Sequence, residues 1–196
     1  MTIRLEKLRK KVSELYEKRN PKRSAGWAQF LYEYHLPVTE KIAAKFAKRY
    51  KVNVELSRAG AMLHDIADAV MDRRADGHHQ KSLEIAKELL VTSGYTESDV
   101  KILVEDALPY HDCRGGIPKT DVGKILSTAD AVAHFDYDFV LYHFCAPFKE
   151  GFTFEDAKKR ALRKLDKDYK IKMLYPEVKK EMKDRYSALK KLFSGK

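Results

Sequence analysis

Apolar residues recur at three- and four-residue steps along nearly the whole chain, the period of a helix with one buried face. The spacing predicts helices over residues 3–18, 24–34, 37–51, 54–71, 79–93, 97–109, 121–135, 138–146, 154–173 and 176–193. No alternating apolar strand of useful length and no internal repeat interrupts them. Several boundaries carry their own signals. Thr96 with Asp99, and Thr153 with Asp156, have capping-box spacing, and Gly94 stops the run before it. Pro37 and Pro176 suit the first turn of a helix, while Pro109 ends or kinks its helix just before His111. Gly60 weakens the 54–71 segment by about 1 kcal/mol relative to alanine. The expectation is an all-α fold in one domain spanning residues 1–196.

The polar residues that break this pattern are the informative ones. His64-Asp65 lies inside Ala61-Met62-Leu63-His64-Asp65-Ile66-Ala67-Asp68-Ala69-Val70, a stretch that reads as a core helix. Buried charges are normally paired or bound to metal, and an adjacent histidine and aspartate can ligate one ion. Asp130 interrupts Ile125-Leu126-Ser127-Thr128-Ala129-Asp130-Ala131-Val132-Ala133 in phase with Leu126 and Ala133. His35 begins the stripe continued by Val38, Ile42 and Phe46. His111 follows Leu103 and Ala107. His78 and His79 each begin a helical series, and periodicity does not choose between them. Asp68, three and four residues beyond the dipeptide, shares its face on a continuous helix. His134 and His143 read as packing or surface residues, and the aromatic run from Phe135 to Phe144 as core.

Composition narrows the class. The chain has 196 residues and a formal net charge of +10. The excess sits at the ends: residues 1–23 carry nine basic and three acidic groups, and residues 149–196 sixteen and eight. The segment between, which holds the histidines and aspartates, is net −4, as a cation site requires. Lysine-rich helix faces are usually solvated, so nucleic acid is not the expected partner. No apolar run approaches the ~20 residues of a membrane span, and the charged N-terminus is not a signal peptide. Two cysteines give neither a disulfide framework nor a zinc spacing. The expectation is a cytoplasmic protein, and its scarcity of Asn and Gln points to a thermophilic source.

Taken in order, His35, His64-Asp65, His78, His111 and Asp130 resemble the HD superfamily of metal-dependent phosphohydrolases. The resemblance covers about residues 25–137, leaving 149–196 as a C-terminal helical extension. It implies an all-α HD-domain bundle whose minimal metal set corresponds to His35, His64, Asp65 and Asp130. Members with two metals add two histidines, here His78 and His111. His78 is preferred to His79 because the family's extra histidine stands four residues before a small residue, here Ser82. Two departures matter. Many members have a lysine where this chain has Asp68, and the Gly-Tyr-Pro extension of the cyclic-dinucleotide branch is absent, which argues against cyclic di-GMP as substrate.

The mixed His/Asp set favours a first-row transition metal, Mn, Fe, Co, Ni or Zn, with Mg admissible, as one or two ions. Such an ion acidifies bound water and polarises a phosphoryl oxygen. Asp65 and Asp68 are the catalytic candidates, Asp68 by orienting His64 or by moving a proton. Arg114 and Lys119 are the candidates for the phosphate of a small phosphorylated substrate such as a nucleotide or cyclic nucleotide, with Lys124, Arg73 and Arg74 as alternatives. The rival readings are a di-iron oxygenase of the same superfamily and a non-catalytic, metal-stabilised interaction module. The two C-terminal amphipathic helices are expected to cover their own domain, or else a homodimer partner, before they touch the chemistry.

Overall fold

The computed structural model describes residues 2–149 and 151–194, whose regular elements are all helical with no strand among them. Helix α1 (Ile3–Glu17) starts at the Thr2 cap and buries Leu5, Leu8, Val12 and Tyr16. A short turn, Ala28–Phe30, runs through a π-helical turn, Leu31–His35, into α2 (Leu36–Arg49). Helix α3 (Val54–Leu63) is capped by Asn53 and followed by a 3-10 turn, Ile66–Ala69. Helix α4 (His78–Ser93) ends on Gly94, whose positive φ of 93° closes it through bonds to the carbonyls of Leu90 and Val91. Helix α5 (Glu97–Lys101) has the Thr96/Asp99 capping box and continues as a π-helical turn, Ile102–Ala107, to Tyr110.

The second half begins with α6 (Asp121–Ala133), capped by Thr120 and buried over most of its length. Helix α7 (Tyr137–Lys149) comes next. Helix α8 (Phe154–Lys167) runs into a third π-helical turn, Asp168–Lys172. Two short helices, α9 (Pro176–Glu181) and α10 (Lys183–Ser194), finish the chain. No described helix is long and apolar enough to cross a membrane.

Helix α6 organises the packing. It lies against α2 and α3 on one side and against the turn after α8 on the other. Its residues therefore divide between two apolar clusters. Ile125, Leu126 and Ala129 belong to the larger, built from α1 to α6. Ala131 belongs to the smaller, with Phe135, Ala161, Leu165, Met173 and Phe193. Asp130 stands at the seam between them.

Three predicted elements differ. The helix predicted over 54–71 stops at Leu63, not at Gly60, and His64 and Asp65 lie in the break. Gly60 is there for close packing: a Cβ would stand 3.3 Å from Leu103 and 3.4 Å from Leu126. The expected gap between residues 34 and 37 is absent, because the π turn carries the chain straight into α2, with Pro37 in its first turn. The helix predicted over 176–193 breaks at Met182.

The start of α6 is fixed by Asp106, whose carboxylate accepts the backbone N–H groups of Lys119 (2.8 Å) and Thr120 (2.9 Å) and the Thr120 hydroxyl. Gly123 makes this possible. A Cβ there would fall 2.6 Å from Pro118 and 2.8 Å from the Asp106 carboxylate. Gly123→Ala should therefore destabilise the fold by about 1–3 kcal/mol, the usual cost of overpacking, measured by urea denaturation. An unchanged midpoint would show that the loop yields freely.

Candidate metal centre

The helix break at residue 64 shapes the centre. His64 caps α3, and its Nδ1 lies 2.8 Å from the Ala61 carbonyl. That bond needs the proton on Nδ1, so Nε2 presents a bare lone pair. This Nε2 is buried and has no hydrogen-bond partner. It stands 3.6 Å from Asp130 Oδ1 and 3.9 Å from Asp65 Oδ2. His111 is held the same way: its Nδ1 donates to the Leu108 carbonyl at 2.6 Å, and its Nε2 lies 3.8 Å from Asp65 Oδ1.

Asp130 collects the other side. Its Oδ1 lies 3.0 Å from His35 Nε2 and 3.1 Å from His134 Nε2. The His35 and His134 rings stack in parallel, with centroids 4.9 Å apart, and His64 meets His35 edge-on at 5.3 Å. The result is a continuous row of imidazoles, His134, His35, His64 and His111, threaded by Asp130 and Asp65. Among the described residues, His35, Asp130 and His134 bring ligand atoms within 4.8 Å of one another. A transition-metal cation fits this donor set: neutral imidazole nitrogens, two carboxylates, and an otherwise orphaned buried lone pair.

Burial explains the protonation states. It pushes His35 down to about 3 against its bond to Asp130, and His111 down to about 4 against the attraction of Asp65. Burial alone would raise the three carboxylates of the row and its surroundings, but neighbouring cations and the histidines that face them prevail. Asp65 is held below its ordinary range chiefly by Arg73, Asp130 by His134 and Lys172, and Asp168 by Lys164 and His134.

The structure thus brings together His35, His64, Asp65, His111 and Asp130 of the expected ligand set. His78 stands one step removed. Its Nε2 bonds Asp68 Oδ1 at 2.8 Å, and it is His78 that turns inward while His79 is exposed. Asp68 does not orient His64. Because α3 has ended, the helical phase linking residues 64 and 68 is lost, and the fully buried Asp68 instead holds His78, Arg73 and the Trp27 indole N–H (2.6 Å).

The substrate-side cations also fall differently. Arg114 is exposed and pairs with Asp112 at 2.8 Å. Lys119 lies before α6, and the nine helical steps from Asp121 to Asp130 rise ~13 Å. A lysine stem does not span that, so Lys119 does not reach Asp130. Arg73 is the cation on the carboxylates: it lies 2.5 Å from Asp65 and also binds Asp68, with its guanidinium over Trp27.

His134, Lys164, Asp168 and Lys172 lie outside the set expected from the sequence. Lys172 is 1 % exposed and its ammonium bonds Asp130 Oδ2. Asp168, fully buried, meets His134 Nδ1 at 3.0 Å and Lys164 at 3.1 Å. The C-terminal extension is therefore part of the centre as well as its cover. Two signals point to these residues: His134 stands four residues after Asp130, and Asp168 and Lys172 prolong the buried stripe of Ala161 and Leu165.

A family model of the HD domain matches residues 32–134. The chain belongs to the HD domain family. The match begins at the π turn that carries His35 and ends on His134, so Lys172 enters the HD centre from outside the shared domain. No curated protein and no solved structure matches the chain.

Asp168→Ala removes the buried carboxylate that contacts Lys164 and His134 directly and lies 3.9 Å from Lys172, which keeps its bond to Asp130, and should cost about 3–5 kcal/mol, read from denaturation midpoints. A loss under about 1 kcal/mol would show that water reaches these ammonium groups. The histidines set a pH dependence. Unfolded, His35 and His111 take up protons below about 6.5; folded, only near 3 to 4. Within that window the unfolded state binds more protons, so stability falls as pH drops, by about 1.4 kcal/mol per unit for each group. Chelator-treated protein should keep a level melting temperature down to about pH 6.5 and lose several degrees between there and pH 4. A level profile through that interval would show that these imidazoles are accessible to solvent.

Proposed function

We propose that this HD domain protein is a metal-dependent phosphohydrolase acting on a small phosphoester, a nucleotide or cyclic nucleotide being the substrate class in view. The observation that carries the reading is the paired locking of His64 and His111. Each gives its Nδ1 proton to a backbone carbonyl and turns a bare Nε2 toward the carboxylates. Membership in a family of metal-dependent hydrolases supports it.

His35, His64, Asp65, His111 and Asp130 would hold the ion, with His134 beside them. A divalent ion bound there supplies an acidified water and a polarised phosphoryl oxygen. The chain supplies the rest. Arg73, at the mouth of the centre, exchanges part of its contact with Asp65 and Asp68 for the substrate phosphate, which a guanidinium binds through two parallel bonds. Asp68 keeps the His78 imidazole oriented, and the pair moves the proton that the leaving oxygen requires. The apolar clusters on either side of Asp130 keep bulk water from its carboxylate.

The test is metal analysis of protein purified without chelators, followed by a phosphoester panel with Mn, Co, Ni and Mg restored. Asp65→Ala and His64→Ala should each lower turnover at least a hundredfold while retaining the helical spectrum. Arg73→Lys should raise KM about tenfold with a smaller effect on kcat. Bound iron with oxygen consumption and no phosphate release would favour the oxygenase. Bound metal without either activity would favour the interaction module.

A further inference from the structure

The cation seated on Asp130 comes from the segment beyond the family match. Lys172 ends the π turn after α8, and its backbone is fastened there. Its carbonyl accepts the hydroxyls of Ser127 (3.2 Å) and Thr128 (3.5 Å), and the backbone N–H of Leu174 donates to the Thr128 hydroxyl at 3.1 Å. These hydroxyls lie within one turn of Asp130 on α6. The lysine stem is thereby aimed at one oxygen of Asp130, with Asp168 3.9 Å away as a second anion. The other oxygen, Oδ1, faces His35, His134 and His64.

The charges of the connected network set a limit. Asp65, Asp68, Asp130 and Asp168 are its carboxylates, and Arg73, Lys164 and Lys172 its permanent cations. Counting these permanent charges alone, the sum is one negative charge. One divalent ion turns it to one positive. Two would leave three positive charges in a largely buried site, and uncompensated buried charge is strongly unfavourable.

We propose that Lys172 is a built-in cation that takes the place of a second metal ion at Asp130 and restricts the centre to one divalent ion per chain. The proposal rests on the metal reading above and makes Lys172 a positioning residue.

The test is titration of the chelator-stripped full chain with Mn²⁺, followed by calorimetry and by the spin-resonance signal of free Mn²⁺. Wild type should bind one ion per chain. Lys172→Met keeps the apolar stem but removes the charge that competes for Asp130, so it should bind Mn²⁺ at least tenfold more tightly, while Lys172→Arg should match wild type. Two ions bound by wild type would overturn the proposal, as would equal affinity in wild type and Lys172→Met. Should Lys172→Met fail to fold, Lys172→Gln, which also lacks the charge, takes its place and carries the same expected gain in Mn²⁺ affinity. Absence of any binding by wild type would defeat the metal reading itself, an outcome distinct from the failure of the lysine's role.

Discussion

Burying the Asp130 carboxylate is the constraint on which the rest of this structure depends. The residue is 2 % exposed and sits where two apolar clusters meet. An ionised carboxylate in such a place costs several kcal/mol unless neighbours replace its water. Four segments bring such a neighbour. The turn before α2 delivers His35, the end of α3 delivers His64, α6 itself supplies His134, and the turn after α8 delivers Lys172. The three π-helical turns belong to the same pattern. His35 and Lys172 each end one, and the third leads through Tyr110 to His111. A π turn adds a residue to the helical cycle and so re-aims the side chains after it, which is why such turns collect at functional sites.

The break between α3 and the 3-10 turn has a similar effect on Asp65. On a continuous helix of 3.6 residues per turn, Asp65 would point about 100° away from His64 and could not share its surroundings. In the observed break Asp65 has φ −134° and ψ 35°, and its two oxygens address His64, His111 and Arg73. The same break separates Asp68 from His64 and gives it to His78 and Arg73. Around the dipeptide, local backbone irregularity thus decides which aspartate meets which histidine, while on α6 helical phase brings His134 to Asp130.

This explains what could be read from the sequence. His64, Asp65 and Asp130 were legible because each is a polar residue in an apolar run, where burial makes it conspicuous, and His35 and His111 through the order of residues that resembles the HD superfamily. The all-helical class was legible from periodicity alone. The expected contact of Asp68 with His64 is not formed because it relied on an unbroken helix. Lys172 was hidden for another reason. It lies in a segment with many lysines, and a buried lysine looks like a solvated one until its partner is known. His134 was masked by the aromatic run beside it.

The same charge balance bears on how a substrate approaches. A network one negative charge in excess repels a phosphate, and the repulsion is strong where the dielectric is low. Arg73 does not remove it, because its charge is already committed to Asp65 and Asp68. On the proposed reading, the anion therefore gains access only after a cation has joined Asp65, Asp130 and the histidines. Arg73 is then free to turn outward, since Asp65 no longer needs it. The lysine from the C-terminal extension keeps Asp130 neutralised before and after that exchange, so the packing of both apolar clusters need not change when the charge at the mouth does.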